Sequence, residues 1–282
     1  MVNWPGNFSV LEMERTFFID AFVADGLEGN PACVTFLERP LAKGELLAIA
    51  ARNALPETAF ILQSAEGYNL RWFTPDIEMD LCGHATLASA YDVLELMEHP
   101  AGEAPSQVTF NTAEGKIGVT REPEGFYTLN FPQRPPQPAE LPAPIWEALS
   151  IKPQEVLLSR DYLLRYRSEE EIRELKISNL PLFNSINMDP GGVVVTAQAS
   201  TPGVDFVSRF FTPQATILED PVTGSAHCTL APFWAERLNK SSLTAMQLSE
   251  RGGLLKCRLE EKRVLISGRA RLSHKASGAD LR

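Results

Sequence analysis

The sequence of 282 residues is poor in the features that mark several large classes of protein. Its four cysteines show no CxxC spacing and its four histidines no HExxH or HxE spacing, so no metal site is expected. No apolar run approaches the roughly 20 residues of a membrane-spanning helix, and the N-terminus lacks a basic region followed by an apolar one. We therefore expect a reduced, cytoplasmic protein that has no membrane partner.

Positive charge is also scarce. The chain carries 26 basic and 36 acidic residues, which gives a formal net charge of −10. Nucleic acids select for positive surfaces, so we expect no nucleic-acid partner. The glycines form neither a dinucleotide fingerprint nor a phosphate loop, and no Gly-x-Ser-x-Gly elbow is present. The sequence therefore argues against a bound nucleotide.

Proline, in contrast, is concentrated near the middle of the chain. Six prolines fall between positions 132 and 144, too many for a helix or a central strand. At about 150 residues per domain, the length suggests two domains. We interpret residues 132–144 as an extended linker between an N-terminal half, 1–131, and a C-terminal half, 145–282; the alternative is a long surface loop within one domain.

The two halves resemble each other. The motif RWFTP at 71–75 returns as RFFTP at 209–213, an offset of 138, and the Gly-x-Ala step at Gly83 returns at Gly224, an offset of 141. Landmarks in the same order at nearly constant spacing indicate an internal duplication. Each half shows strand patterns and one helix that is apolar on most faces, typical of a buried helix. We predict an α+β protein of two pseudo-symmetric domains, each a mostly antiparallel, barrel-like sheet around a central helix, His84–Met97 or Ser225–Leu238.

Both central helices begin at a turn of small residues. A helix N-terminus offers free backbone N–H groups and the positive end of the helix dipole, so it binds carboxylates. Glycines at Gly83 and Gly224 would let a ligand approach, while His84 and Ser225 would add donors. Two such turns facing each other across a cleft would clamp an anion. The alternative is ordinary capping of the helix by the polar side chains of the second turn, Asp220, Thr223 and Ser225.

One carboxylate and one thiol could carry chemistry. Glu57 immediately precedes an apolar strand, where apolar walls would raise its pKa and suit it to take and return a proton. At an offset of 138 its counterpart is Val195, so one half alone would hold the acid/base; a solvated strand-end glutamate is the alternative. Cys82 could be a thiol activated at a helix N-terminus or a buried packing residue.

Several of these segments are similar to the phenazine-biosynthesis-like isomerase family, which has a diaminopimelate-epimerase-like fold. The matching segments span about residues 16 to 270 and comprise Asp20–Phe22, Gly29–Ala32, Glu57–Phe60, Arg71–Pro75, Cys82–Thr86, Asp220–His227 and Ser249–Gly253.

The resemblance implies a metal-free, cofactor-independent isomerase with its active site between the two halves, and a homodimer. It implies that Glu57 shuttles a proton on a cyclic amino acid, and that His84, Asp220, Gly224 and Ser225 hold the substrate. Epimerases of this fold use two cysteines; Cys82 matches the first, but Val222 stands at the second position.

These observations together predict an isomerase that shifts a proton on a small, carboxylate-bearing, amino-acid-like metabolite. Glu57 would be the acid/base, and Asp220 would orient the substrate or act as a second acid. His84, Gly83, Gly224 and Ser225 would bind the carboxylate. Two alternatives stay open: an epimerase or racemase that uses Cys82 with a partner other than a thiol, and a non-catalytic metabolite-binding protein.

Overall fold

The computed structural model of the chain describes residues 15–97 and 105–275. The stretches 1–14, 98–104 and 276–282, which the predicted halves include, lie outside the described residues. The first half contributes the strands β1 Thr16–Val23, β2 Asn30–Leu37, β3 Glu57–Ser64, β4 Gly67–Phe73, β5 Glu78–Met79, β6 Gln107–Thr112, β7 Gly115–Arg121 and β8 Phe126–Pro132.

The rest of the described chain continues with a short strand in the proline-rich segment and a second set of strands. These are β9 Gln137–Pro138, β10 Glu155–Leu158, β11 Tyr162–Arg165, β12 Val193–Gln198, β13 Phe206–Phe211, β14 Glu219–Asp220, β15 Ser242–Gln247, β16 Gly253–Glu260 and β17 Arg263–Lys275. The α-helices are α1 Lys43–Asn53, α2 Gly83–Tyr91, α3 Ala143–Ala148, α4 Glu169–Glu174, α5 Leu180–Phe183 and α6 His227–Leu238.

The order of strand pairing is the same in the two sets. In the first set β1–β2 is antiparallel, β2–β3 parallel, β3–β4 antiparallel, β4–β6 parallel, and β6–β7–β8 antiparallel. In the second set β10–β11, β11–β12, β12–β13, β13–β15 and β15–β16–β17 repeat these directions one by one. The pseudo-symmetric α+β fold predicted from the repeated motifs is therefore confirmed.

The last strand closes the first barrel. β17 is 13 residues long and pairs with β1 along one edge and with β8 along the other. The ring β1–β2–β3–β4–β6–β7–β8–β17 thus returns to β1 and leaves no open edge in this barrel. Helix α2 lies inside it, and every residue from Gly83 to Ala90 is buried. The predicted buried central helix is confirmed, and it continues as a π-helical turn, Asp92–Leu96.

The apolar pattern of the strands explains this arrangement. Alternate strand residues such as Ile19, Val34 and Ile61 point inward and pack, fully buried, with the residues of α2. Helix α6 contributes Leu230 and Trp234 to the same core. A second cluster, which includes Ile172 and Val195, fills the space under α3, α4 and α5.

Three strands of more than two residues escape the sequence prediction: β10, β11 and β15. The first two have only four residues each, too few for a period to show, and β15 carries both small and polar residues. The segment 132–144 contains β9, which pairs with β10; how the chain divides into domains stays a prediction. In the part of the chain that the structure describes, no helix is long and apolar enough to cross a membrane.

Candidate active site

All seven residues proposed from the sequence line one cleft between the two sets of strands. They are Glu57, Cys82, Gly83, His84, Asp220, Gly224 and Ser225. The loops that follow β4 and β13, which contain the repeated Thr-Pro steps, form its walls, together with apolar side chains that include Met79 and Phe210. The arrangement suits a small molecule that has both a charged and an apolar part.

The two glycine turns meet at the floor of the cleft. A methyl group placed on Gly83 would lie 2.8 Å from the Cα of Gly224, and one placed on Gly224 would lie 3.0 Å from the Cα of Gly83. Among the residues that the structure describes, no side chain accepts a capping hydrogen bond at the N-terminus of α2 or α6, so the alternative of ordinary side-chain capping is wrong. In the second turn the N–H groups of His227 and Cys228 donate to the carbonyls of Gly224 and Ser225, so a ligand there would use the N–H groups of the turn that precedes them.

Glu57 faces His84 across the cleft. The Oε2 atom of Glu57 lies 3.0 Å from Nε2 of His84, and both side chains are buried. Within the described ranges neither atom has a well-aligned hydrogen-bond partner. Burial alone lowers the pKa of His84, but the neighbouring carboxylate of Glu57 outweighs the burial and raises this pKa well above its ordinary value. The pair therefore places a proton acceptor next to a proton donor.

Asp220 is tied to the other half through Asn30. The Nδ2 group of Asn30 donates to Oδ1 of Asp220 at 2.7 Å and to the carbonyl of Val222 at 2.9 Å, and lies 3.0 Å from Nδ1 of His84. Burial, and then the nearby carboxylate of Glu57, raise the pKa of Asp220 to about 6. Asn30 therefore links the two carboxylate-bearing parts of the site, a role that its place in a family motif did not show.

The thiol of Cys82 lies in the cleft, 3.7 Å from Nδ1 of His84. Burial, followed by the carboxylate of Glu57, raises its pKa to about 11, so it is a thiol rather than a thiolate at neutral pH. The residue that directly precedes Gly224, as Cys82 precedes Gly83, is Thr223. The match to Val222 was therefore wrong by one residue; Val222 is fully buried, whereas Thr223 lines the cleft.

The counterpart of Glu57 also needs correction. Phe73 pairs with Thr58, and its repeat Phe211 pairs with Val193, so the residue that corresponds to Glu57 is Gly192 rather than Val195. The hairpin of the second half is three residues longer (211 − 193 = 18 against 73 − 58 = 15), which breaks the constant offset. The asymmetry itself holds, because glycine has no carboxylate.

Arg160, which sequence patterns did not reveal, also lines the cleft. It lies in the connection between two short strands and carries no motif. Its Nη1 group donates to Oγ of Ser225 at 3.3 Å, and Nη2 donates to Asp80 at 2.6 Å and to the carbonyl of Pro190 at 2.9 Å.

One cluster has the composition of a metal site. Ligand atoms of Glu57, Cys82 and His84 lie within 4.8 Å of one another, and all three residues are buried. Carboxylate, thiolate and imidazole are ligands that Zn²⁺ accepts. The spacing of these residues along the chain did not suggest this, because Glu57 is distant in sequence from the other two.

Comparison with known proteins identifies the family to which the chain is similar. The family model described as phenazine biosynthesis-like protein matches residues 19–276. An uncharacterized isomerase of Pseudomonas aeruginosa is 44% identical over 262 residues, which cover 92% of this chain and 97% of that relative. Because relatives of this similarity are named isomerases, the enzyme class predicted from the sequence is confirmed.

Solved structures show the same fold. A crystal structure of a PhzF-family phenazine biosynthesis protein from Enterococcus faecalis superposes with a TM-score of 0.81 at 40% identity, covering 93% of this chain and 97% of that one. A hydroxyproline epimerase from Agrobacterium vitis, at 12% identity, superposes with a TM-score of 0.60 and covers 93% of this chain and 92% of that one. The latter shares the fold alone. The chain belongs to the phenazine biosynthesis-like protein family.

Proposed function

We propose that the protein is a cofactor-independent isomerase that shifts a proton on a small, carboxylate-bearing, amino-acid-like metabolite. The observation that carries this proposal is the position of Glu57. The residue is 8% exposed, its carboxylate lies 3.0 Å from His84, and it opens onto the cleft where two uncapped helix turns meet. A base, a donor and an anion site are thus within reach of one small molecule.

The reaction would begin with the substrate carboxylate at the turns of Gly83 and Gly224. Glu57 would remove a proton from a carbon atom of the substrate, and the electron pair would move toward the carboxylate or a conjugated double bond. The backbone N–H groups of the turns and the imidazole of His84 would stabilise the enolate-like charge. Glu57, now protonated, would return the proton to a different carbon, and atoms and charge balance without a cofactor.

Asp220 would orient the amino or hydroxyl group of the substrate. Its carboxylate is fixed by Asn30 at 2.7 Å and by the hydroxyl of Thr223, so it cannot easily turn away. With a pKa of about 6, it could also supply a proton as a second acid. Either role needs Asp220 within hydrogen-bond reach of the substrate.

A second candidate is an epimerase or racemase in which Cys82 acts with a partner other than a thiol. The position of Cys82 in the cleft, next to His84, favours it. The raised pKa of the thiol opposes it, because a base must lose its proton before it can accept another. No other cysteine among the described residues lines the cleft.

Deuterium incorporation tests the proposal. Small cyclic and acyclic amino and hydroxy acids are incubated with the enzyme in heavy water, and exchange is followed by proton NMR. We expect Glu57→Gln to abolish exchange into the substrate while binding persists. Glu66→Gln, on an exposed turn of the adjoining hairpin, is the matched control. Undiminished exchange in Glu57→Gln would refute the assignment, and binding without any exchange would favour the non-catalytic alternative.

Three further expectations accompany this function. The enzyme should act without an added metal or organic cofactor, form a homodimer, and reside in the cytoplasm. Activity after treatment with a chelator and the mass in solution from light scattering test the first two directly.

A further inference from the structure

Arg160 is a charged side chain that the chemistry assigned so far does not use. It lies on the connection between β10 and β11, and only 10% of its side chain is exposed. The corresponding connection of the first half, residues 24–29, carries no arginine. The cleft is therefore asymmetric in this residue as well: the second half alone supplies Arg160, just as the first half alone supplies Glu57.

The hydrogen bonds of Arg160 leave some of its donors unused. Nη2 is occupied by Asp80 and the carbonyl of Pro190, and Nη1 donates one bond to Ser225. Nε is buried and has no partner among the described residues. A guanidinium has five N–H donors, so this side chain keeps donors that a ligand in the cleft could satisfy.

The bond to Ser225 also has a direction. Because Nη1 donates to Oγ, the hydroxyl group of Ser225 accepts there, and its own hydrogen remains free to be donated. Ser225 lines the cleft directly after Gly224. Arg160 therefore holds Ser225 as a donor at the place where the helix turn offers its N–H groups.

The charges around the cleft require such a cation. Among the described residues, four carboxylates line it, those of Glu57, Asp76, Asp189 and Asp220, against one permanent positive charge, that of Arg160. Helix N-termini carry partial charge only, and four nearby carboxylates would repel an entering anion. The guanidinium of Arg160, although it is also paired with Asp80, therefore adds to the imidazole of His84 in attracting a carboxylate ligand.

We propose that Arg160, together with the hydroxyl group of Ser225 and the turn at Gly224, binds the carboxylate of the substrate and restricts the enzyme to free acids rather than amides or esters. This deepens the proposed function and rests on it for the place of the carboxylate. Charge-assisted bonds from arginine to a carboxylate are among the stronger polar contacts in proteins.

Two probes that differ only in charge test this. Binding of benzoate and of benzamide is measured by NMR at constant ionic strength. In the native protein benzoate should bind more tightly than benzamide. Arg160→Gln should weaken the binding of benzoate by about tenfold or more and leave the binding of benzamide unchanged. Arg160→Lys should recover part of the lost affinity for benzoate.

Arg134→Gln is the matched control. Arg134 also approaches Asp80, at 4.0 Å, but does not line the cleft. This variant removes one positive charge from the same neighbourhood and should bind benzoate as the native protein does. An equal loss for benzoate in both variants, or an equal loss for both probes in Arg160→Gln, would overturn the proposal, as would a native protein that does not prefer benzoate.

A measurement on the unmodified protein covers the case in which Arg160→Gln fails to fold. The Nε–H resonance of Arg160, assigned by its absence from Arg160→Lys, should move when benzoate is added and stay when benzamide is added; an unmoved resonance would refute the contact. Failure of the proposed function can be distinguished from failure of this proposal. In that case benzoate binding would still depend on Arg160, but deuterium exchange would not depend on Glu57.

Discussion

Gly83 and Gly224, which are 141 residues apart in sequence, lie in contact, one at the start of α2 and the other in the turn that precedes α6. Neither position has space for a Cβ atom, since each would come within about 3 Å of the backbone of the other, at 2.8 and 3.0 Å. The close approach brings two helix N-termini to one point, and their dipoles add where an anion would sit.

Gly83→Ala should disturb both the fold and the site. The added methyl group would press on the backbone of the opposite turn, and such overpacking costs about 1–3 kcal/mol of unfolding free energy. Chemical denaturation and substrate binding would both register the change. Gly118→Ala is the control, because a methyl group there meets nothing within 4 Å. Equal stability of the two variants would contradict the close contact.

Cys82→Ser should retain deuterium exchange within about tenfold of the native rate, because a thiol with a pKa of about 11 does not act as a base at neutral pH. The rate of exchange into the substrate is the measurement. Cys228→Ser, at an equally buried position outside the cleft, corrects for the cost of burying a hydroxyl group. A loss of a thousandfold in Cys82→Ser alone would establish the epimerase alternative.

Asp220→Asn should make the protein more stable near neutral pH while it removes activity. The pKa of Asp220 is about 6 in the folded protein and 3.8 ordinarily, so the folded state binds the proton more tightly. The native protein therefore loses stability as pH rises from about 4 through 6. Asparagine stays neutral at every pH. The unfolding free energy of Asp220→Asn minus that of the native protein should therefore grow by up to about 2 kcal/mol between pH 4 and 7.

Denaturation of both proteins in urea at the two pH values measures this difference. Titratable groups that both proteins contain contribute equally to the two free energies of unfolding, so they cancel from the difference. A difference that is independent of pH would show that Asp220 has an ordinary pKa.

Glu169→Gln should destabilise the second half, with the opposite pH dependence. Burial raises the pKa of Glu169, but hydrogen bonds from Thr201, Arg173 and Ser200 outweigh it and lower the pKa to about 2. This stabilisation is complete above pH 4.5 and is lost as pH falls through about 2. We expect a loss of about 2 kcal/mol at pH 7, which shrinks in acid. Glu170→Gln, at the neighbouring exposed position, should change little.

Most of the fold could be predicted from the sequence, because the sequence signals for it are local and occur twice. A repeated motif and a repeated helix turn at nearly equal spacing indicated the duplication. Constant spacing failed where a hairpin gained three residues, and so Gly192 took the place expected for Val195. Which residues correspond in the two halves depends on the register of strand pairing, and one constant offset along the sequence does not predict that register.

Only some of the residues in the candidate site could be predicted from the sequence. Glu57 and His84 stand in motifs, and the structure brings them to 3.0 Å. Arg160 stands in no motif and enters the cleft because a connection between two four-residue strands points it there. Likewise Asn30 reaches Asp220 across 190 positions of sequence. Contacts of this kind are set by the tertiary fold and leave no local pattern.

The shared strand β17 has a consequence for synthesis. Its residues, 263–275, pair with β1 and β8 of the first barrel, yet they are translated about 130 residues after β8. While the ribosome makes the intervening segment, both edges of the first barrel stay unpaired and open to aggregation. The nascent chain therefore cannot close its first barrel during translation until nearly all of the second set of strands has been made.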